Sequence, residues 1–285
     1  MLRIALPNKG RLSEDTRTLF ADAGLEVRSA GDRALTASLG GEFKALFVRA
    51  QDIPELVSDG AADVGVTGWD IVLESGRPID RLLDLGFGRC RLVVAVREDS
   101  TTRAILDLAP GTRVATAFPR VAANFFAERG PRVEVIPVSG AAEVAPHLGI
   151  ADVIVDLTST GSTLRINGLR EIDTVLESSA CIVAPMEAKR AHPAAVQELT
   201  AALESVLRAR GQRYLMANVP RSALPEVRKV IPGLNGPTVI DIMNGGVHVA
   251  VHAVVSAGTV YRTVASLKSL GAEGILVTRI ERLMP

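Results

Sequence analysis

The stretch Ile150-Ala-Asp-Val-Ile-Val-Asp-Leu-Thr-Ser-Thr-Gly-Ser-Thr-Leu-Arg-Ile-Asn-Gly168 gathers the residues best suited to chemistry. Asp156 ends an apolar run (Val153, Ile154, Val155), and Thr158, Ser159, Thr160, Gly161, Ser162 and Thr163 follow it directly. A turn of this kind presents a concave row of backbone N–H groups and hydroxyls at a helix N-terminus, where the dipole favours an anion. Gly161 lets the backbone approach a phosphate with no Cβ in the way. Asp152 and Asp156, four apart on a strand, share a face, and Asp156 at the carboxyl end is placed to accept hydrogen bonds from sugar hydroxyls. The stretch reads as a cradle for a phosphorylated sugar. A plain Ser/Thr turn capping a helix has the same composition. It is not a Walker loop, since the G-x-x-x-x-G-K-[ST] lysine is missing, and no strand leads into G-x-G-x-x-G.

Further charged residues follow other strand-like runs. Residues 2–6 read as a buried strand leading into Pro7-Asn-Lys-Gly-Arg11, with Ser13 as the cap of the next helix and Gly24 past its end. Lys9 and Arg11 stand where a strand's carboxyl end meets a helix start, a common ligand position in α/β sheets. Phe43-Lys-Ala-Leu-Phe-Val48 is a second strand, ending in Arg49, with Asp52 as helix cap and Pro54 in the first turn. Ala62-Asp-Val-Gly-Val-Thr-Gly68 is a third, ending near Asp70. The recurring layout of strand, polar residue and helix predicts a parallel sheet that collects its polar groups along one edge.

Strands are expected at 82–88, 89–96, 112–116 and 133–138, with helices over 120–129 and 140–149. Glu143 lies in the first turn of the last of these, where a carboxylate suits the helix dipole and could also face a substrate. Phe118 suits the core better than a base-stacking surface. Residues 171–185 supply one or two more strands, and the helix after Pro193 is amphipathic, with Val196, Leu199, Leu203, Val206 and Leu207 on one stripe. A weak hairpin is expected over 30–42.

From Gln212 the order becomes β-α-β-β-α-β: strand 213–218, helix 221–230, strand 237–243, an Asn244-Gly-Gly turn, strand 247–255, helix 258–270 and strand 273–279. That is the ferredoxin-like arrangement, a small α+β domain of a kind that binds regulators or pairs with a copy of itself. His248 and His252 share a strand face but sit ~13 Å apart, too far for one metal ion, and read as surface or interface residues.

With 285 residues, the chain has room for two or three domains. Formal charge is zero with both signs mixed throughout, so nothing points to a nucleic-acid surface. Cys90 and Cys181 lie in no metal-ligand spacing and suggest a reducing compartment. No signal-peptide layout or membrane-length apolar run occurs, so a cytoplasmic protein with no membrane partner is expected.

Several segments together resemble one family: Leu6-Pro-Asn-Lys-Gly-Arg-Leu12, Val48-Arg-Ala-Gln-Asp-Ile53, Asp63-Val-Gly-Val-Thr-Gly-Trp-Asp70, Leu85-Gly-Phe-Gly-Arg-Cys-Arg-Leu92, Asp152 to Leu169, and Leu267-Lys-Ser-Leu-Gly-Ala-Glu-Gly-Ile-Leu276. It is ATP phosphoribosyltransferase in its long form, which opens histidine biosynthesis, and the resemblance spans essentially the whole chain. It implies an α/β protein with two periplasmic-binding-protein-like lobes around a catalytic cleft, plus the ferredoxin-like regulatory domain. The implied domains are 1–90 with 181–211, 91–180, and 212–285. The return of the chain to the first lobe is implied by the resemblance and not by spacing.

The implied reaction joins N1 of ATP to C1′ of phosphoribosyl diphosphate, releasing pyrophosphate with Mg²⁺ held mainly by substrate phosphates. The resemblance implies that Ser159 to Thr163 hold the 5′-phosphate. It gives Asp156, with Asp152, the ribose hydroxyls, and sets Lys9, Arg11, Arg49 and Asp70 on the ATP and pyrophosphate side. Histidine is the implied inhibitor, bound near Asn218, Leu234, Thr238 and Ala272. Asn218 stands where some members carry an acid, and an amide would hold the ligand's ammonium more weakly. A homo-oligomer, dimer to hexamer, is implied, with no separate regulatory subunit. The rival readings are a solute-binding or ligand-sensing module, and an enzyme using another nucleophile with the same donor.

Overall fold

The computed structural model describes residues 1–27, 35–243 and 245–284. Most of the expected hairpin's first half and Asn244 of the expected turn therefore lie outside the described residues. The chain divides into two compact units, Met1–Ala21 with Leu25–Thr200, and Asp22–Gly24 with Ala201–Pro285.

The first unit holds two sheets. Its opening part runs β1 (Leu2–Pro7), α1 (Arg11–Asp22), β2 (Thr36–Ser38), β3 (Phe43–Val48), α2 (Ile53–Ser58), β4 (Val64–Gly68), α3 (Trp69–Ser75) and β5 (Asp80–Asp84). The chain then crosses to β6 (Cys90–Arg97), β7 (Arg113–Thr116), α4 (Pro119–Arg129), β8 (Glu134–Pro137), β9 (Val153–Thr158), α5 (Ser162–Ile166) and β10 (Leu169–Ser178). It returns as β11 (Ala180–Ala184), followed by α6 (Met186–Ala191) and α7 (Pro193–Ala209). The first sheet has the order β2-β3-β1-β4-β11-β5, and the second β10-β6-β9-β7-β8.

Both sheets are mixed, although the three strands expected to run parallel, β1, β3 and β4, do so. β1 runs parallel to β3 and β4, but β11 is antiparallel to both its neighbours. β11 enters this sheet straight from β10 of the other one, through Ser179 alone. The second sheet repeats the pattern, with β7 parallel to β8 and β9, and β6 antiparallel to β9 and β10. Burial of Val64, Val66, Val153, Ile154 and Val155 explains the near-continuous apolar runs of β4 and β9.

Three helix expectations need correction. Asp52 stands at the N-cap of α2, but its backbone is already helical and its side chain makes no capping bond. Ser13 does not cap α1; the helix starts at Arg11, Gly10 turns the chain at φ +79°, and the Gly10 carbonyl accepts from Ser13, whose side chain is buried. The helix expected over 140–149 is a three-residue 3-10 turn, Ala142–Val144. Pro146 cannot donate to a continuing ladder, and Ala141 at φ 49° already bends the backbone out of helical space.

The second unit, beyond the end of α7, contains β12 (Gln212–Pro220), α8 (Leu224–Val230), β13 (Thr238–Asp241), β14 (His248–Ser256), α9 (Val260–Ser269) and β15 (Glu273–Arg279). Its sheet order, β13-β14-β12-β15, is the ferredoxin-like one expected from the sequence. Leu215, Ala217, Val219, Val249, Val251 and Ala253 pack in one core with Val227 of α8 and Leu267 of α9. The alternate residues of β12 and β14 stay half-exposed on the other face. Among the described residues, no helix is long and apolar enough to cross a membrane.

Candidate active site

In the first sheet, Pro7 of β1 pairs with Val48 of β3, so Lys9 and Arg49 leave adjacent strand ends side by side. Both are exposed, as is Arg11 at the start of α1. Parallel β4 brings Asp70 to the same edge, as the sequence predicted. Its carboxylate, however, is not open to a ligand. Asp70 is buried; its Oδ1 accepts the Ser178 hydroxyl at 2.5 Å, and its N–H donates back to Ser178 Oγ at 2.9 Å. A distant serine thus satisfies one orphan N–H of α3, and Asp70 is spent holding it. Cys90 lies close by, its thiol pushed up by burial and by the Asp70 charge, while a hydrogen bond with Ser178 works the other way.

In the second sheet, Asp156 sits on β9 opposite Val93, half-buried. Its Oδ1 accepts the Leu157 N–H at 2.8 Å. Burial pushes its carboxyl above the ordinary range, the Leu157 bond lowers it, and the nearby Glu143 charge raises it again. Glu143, on the 3-10 turn, is therefore brought within electrostatic reach of Asp156.

The hydroxyl turn follows at once. Gly161 adopts φ +72°, and its N–H donates to Thr158 Oγ1 at 2.8 Å. Thr158 is buried, so its hydroxyl serves the turn and not a ligand, which corrects its expected role. Thr160 and Ser162 hydroxyls meet at 2.9 Å, and Ser159, Thr160, Ser162 and Thr163 are exposed. α5 is only five residues long, so the turn's own N–H and hydroxyl groups, more than a helix dipole, would meet an anion.

Asp152 does not join Asp156. It precedes β9, at the amino end of the strand, and its carboxylate takes the Arg113 guanidinium at 3.0 and 3.3 Å and the Arg113 N–H at 3.0 Å. Four strand residues span ~13 Å, so sharing a face does not mean sharing a site. The pair with Arg113 holds the Asp152 carboxyl below the ordinary range.

A cleft of about 400 Å³ opens beside Ser159, Ser178 and Ser179, and Arg81, Arg89 and Arg91 line it with Asp84 and Glu177. These arginines carried no expected role. The signal was present in Arg89-Cys-Arg91, whose alternation puts two cations at a strand start. Among the described residues, no three His, Cys, Asp or Glu side chains converge as metal ligands. Both cysteines are free, and burial drives the Cys181 thiol up to about 12.

In the C-terminal sheet, Asn218 lies in register with Ala250, and Thr238 with His252, on the face the helices leave uncovered. His252 Nδ1 meets the Tyr214 hydroxyl at 2.9 Å there. Leu234 is exposed on the loop before β13. Ala272 is buried in the core on the opposite side, so its side chain is not available to a ligand, contrary to expectation.

Comparison with known proteins agrees with the resemblance on the family. The ATP phosphoribosyltransferase family model, HisG, matches residues 49–205, and the model of the HisG C-terminal domain matches residues 209–282. The chain belongs to the ATP phosphoribosyltransferase family. Over 292 aligned residues it is 68% identical to an ATP phosphoribosyltransferase of Gemmatimonas aurantiaca, with 100% of each chain covered. It is 46% identical to one of Methanosarcina barkeri, again over 100% of both. Among solved structures it is similar to the ATP phosphoribosyl transferase (HisG:HisZ) complex from Thermotoga maritima, at 29% identity and a TM-score of 0.63. That match covers 73% of this chain and 99% of the other. The presence of the C-terminal domain marks the long form of the family.

Proposed function

We propose that this chain catalyses the first step of histidine biosynthesis, transferring the phosphoribosyl group of phosphoribosyl diphosphate to N1 of ATP. The C1′–N1 bond forms as the bond from C1′ to the pyrophosphate oxygen breaks. The observation that carries the reading is the Asp156 carboxylate near the end of β9, followed by a turn whose Ser159, Thr160, Ser162 and Thr163 are exposed, with Ser159 lining an arginine-rich cleft. Ser159 to Thr163 hold the 5′-phosphate through hydroxyls and first-turn N–H groups, and Asp156 accepts from the ribose hydroxyls. Lys9, Arg11 and Arg49 meet the phosphates of ATP and the leaving pyrophosphate, where fixed cations stabilise developing charge. Orientation of two bound substrates is the chain's main contribution.

Magnesium fits this donor set. Mg²⁺ binds through one or two carboxylates plus substrate phosphates, and Asp156 and Glu143 are the carboxylates on hand. Bound there, it would neutralise phosphate charge. Residues 1–90 with 181–211 and residues 91–180 form the two lobes of the catalytic part. Residues 212–285 form a regulatory domain that binds histidine as inhibitor, with Asn218 and Thr238 on the binding face and Leu234 beside it. The protein works in the cytoplasm as a homo-oligomer without a separate regulatory subunit.

The test is to mix protein, ATP, phosphoribosyl diphosphate and Mg²⁺ and follow phosphoribosyl-ATP and pyrophosphate together. Equal amounts of both are expected. Turnover with another base and none with ATP would refute the reading, as would ligand binding without turnover.

A further inference from the structure

An acid lies behind the phosphate turn. Glu171 Oε1 lies 2.9 Å from the point where a Cβ on Gly161 would stand. The positive φ of 72° disfavours a side chain there, and the flexible ends of Glu171 and of Arg165, whose Nη1 lies 3.3 Å from the same point, would have to shift to admit one. A free carboxylate so near would repel a dianionic phosphate.

Arg91 answers it. Its Nη1 donates to Glu171 Oε2 at 2.8 Å, and its Nη2 to Oε1 at 3.1 Å. Nη1 also reaches Thr174 Oγ1 at 3.4 Å. The strand supplying these partners is irregular: β10 shifts register against β6 between Glu171 and Asp173, and again between Thr174 and Leu176. Such bulges re-aim side chains next to functional sites, and here they turn Glu171 and Thr174 onto one guanidinium. Arg91 itself stands opposite Thr158 in the β6–β9 register, and Thr158 receives the Gly161 N–H. The turn is thus held from two sides by neighbouring strands.

We propose that Arg91 and Glu171 are a positioning pair for the phosphate turn: Glu171 braces Gly161, and Arg91 cancels the charge Glu171 would otherwise set beneath the bound phosphate. This rests on the phosphoribosyl reading above. The competing role for Arg91, which also lines the cleft, is direct contact with substrate.

A double-mutant cycle separates the two roles. Phosphoribosyl diphosphate binding is measured by calorimetry with Mg²⁺, and both KM values and kcat by assay, for the wild type, Arg91→Gln, Glu171→Gln and the double variant. Arg91→Gln is expected to weaken phosphoribosyl diphosphate binding about tenfold while the KM for ATP stays within about twofold. The double variant, relieved of the uncompensated acid, should return to within about threefold of wild type. A double variant as weak as Arg91→Gln or weaker overturns the proposal in favour of direct contact or a purely structural role. If Arg91→Gln does not fold, Glu171→Gln alone, which removes the acid and leaves Arg91, should bind phosphoribosyl diphosphate no more weakly than wild type; a loss of about tenfold there also overturns it. Failure of the wild type to bind or turn over would instead remove the phosphoribosyl reading, and this proposal with it.

Discussion

Arg113 grips Asp152 as Arg3 grips Asp63. In each pair the guanidinium meets both carboxylate oxygens, the arginine's own N–H donates to one of them, and the aspartate's N–H returns to the arginine's carbonyl. Each arginine also donates to a glycine carbonyl three residues before the aspartate, Gly60 or Gly149. The segments read Gly60-Ala-Ala-Asp-Val-Gly-Val66 and Gly149-Ile-Ala-Asp-Val-Ile-Val155. One clip, used once in each sheet, fastens the amino end of a central strand to its parallel neighbour and leaves the carboxyl end for ligands.

The clips differ in burial, and that sets the first prediction. The Asp63 side chain is 11% exposed and that of Asp152 51%. Asp63→Ala should cost about 1–2 kcal/mol in urea unfolding, and Asp152→Ala under about 1 kcal/mol. Asp152→Ala should keep kcat/KM within about twofold; a hundredfold loss would return Asp152 to the substrate site.

The same pairs give a pH dependence. Burial pushes the Asp63 carboxyl up, but the Arg3 hydrogen bonds outweigh it and leave it below the ordinary range; Arg113 does the same for Asp152. A carboxyl lowered in the folded state adds stability above its unfolded value, lost as pH falls through the folded one. Thermal midpoints should therefore fall on acidification below about pH 4, and fall less in Asp63→Asn. A midpoint equally acid-sensitive in that variant would contradict this.

Asp156 has the opposite sign. Its carboxyl is raised by burial and by Glu143, so ionising it costs stability as pH rises from the ordinary carboxyl value to the folded one. Asp156→Asn should unfold no earlier than wild type at neutral pH, and slightly later, while losing most activity. A lowered melting temperature would mean that the residue serves the fold.

A fourth prediction concerns Glu74 of α3, whose two oxygens accept the Arg120 and Val121 N–H groups of α4, each at 3.0 Å. This carboxylate caps a helix that belongs with the other sheet. Glu74→Ala should cost about 1 kcal/mol in urea unfolding, and Glu74→Lys more, because a cation opposes the helix dipole. An unchanged midpoint in both would show the cap to be idle.

The fold was legible where short-range rules act. The runs before Lys9, Arg49 and Asp70 all became strands ending on one edge, and the β-α-β-β-α-β order of the tail is the observed order. The return of β11 to the first sheet was not legible from spacing, because nothing local tells an apolar run which sheet will accept it. Within the site, the sequence of Asp156, strand end and Gly161 turn was legible as local structure because it is contiguous in the chain. Asp70 misled because its partner, Ser178, is 108 residues away, and Glu171 escaped notice because only the tertiary approach to Gly161 gives it meaning.

The proposed histidine regulation has its own test. Asn218→Asp would supply a carboxylate for the ligand's ammonium on the uncovered sheet face, and should lower the histidine concentration for half-inhibition several-fold. Unchanged inhibition would move the histidine site elsewhere.

The central claim, that Asp156 and its following turn grip the sugar phosphate, is tested most directly by single-turnover phosphoribosyl-ATP formation at saturating ATP and phosphoribosyl diphosphate. The wild type should form product with stoichiometric pyrophosphate, and Asp156→Asn, folded to the same melting temperature or above, should be slower by about a hundredfold or more. Equal rates in the two proteins would contradict the account.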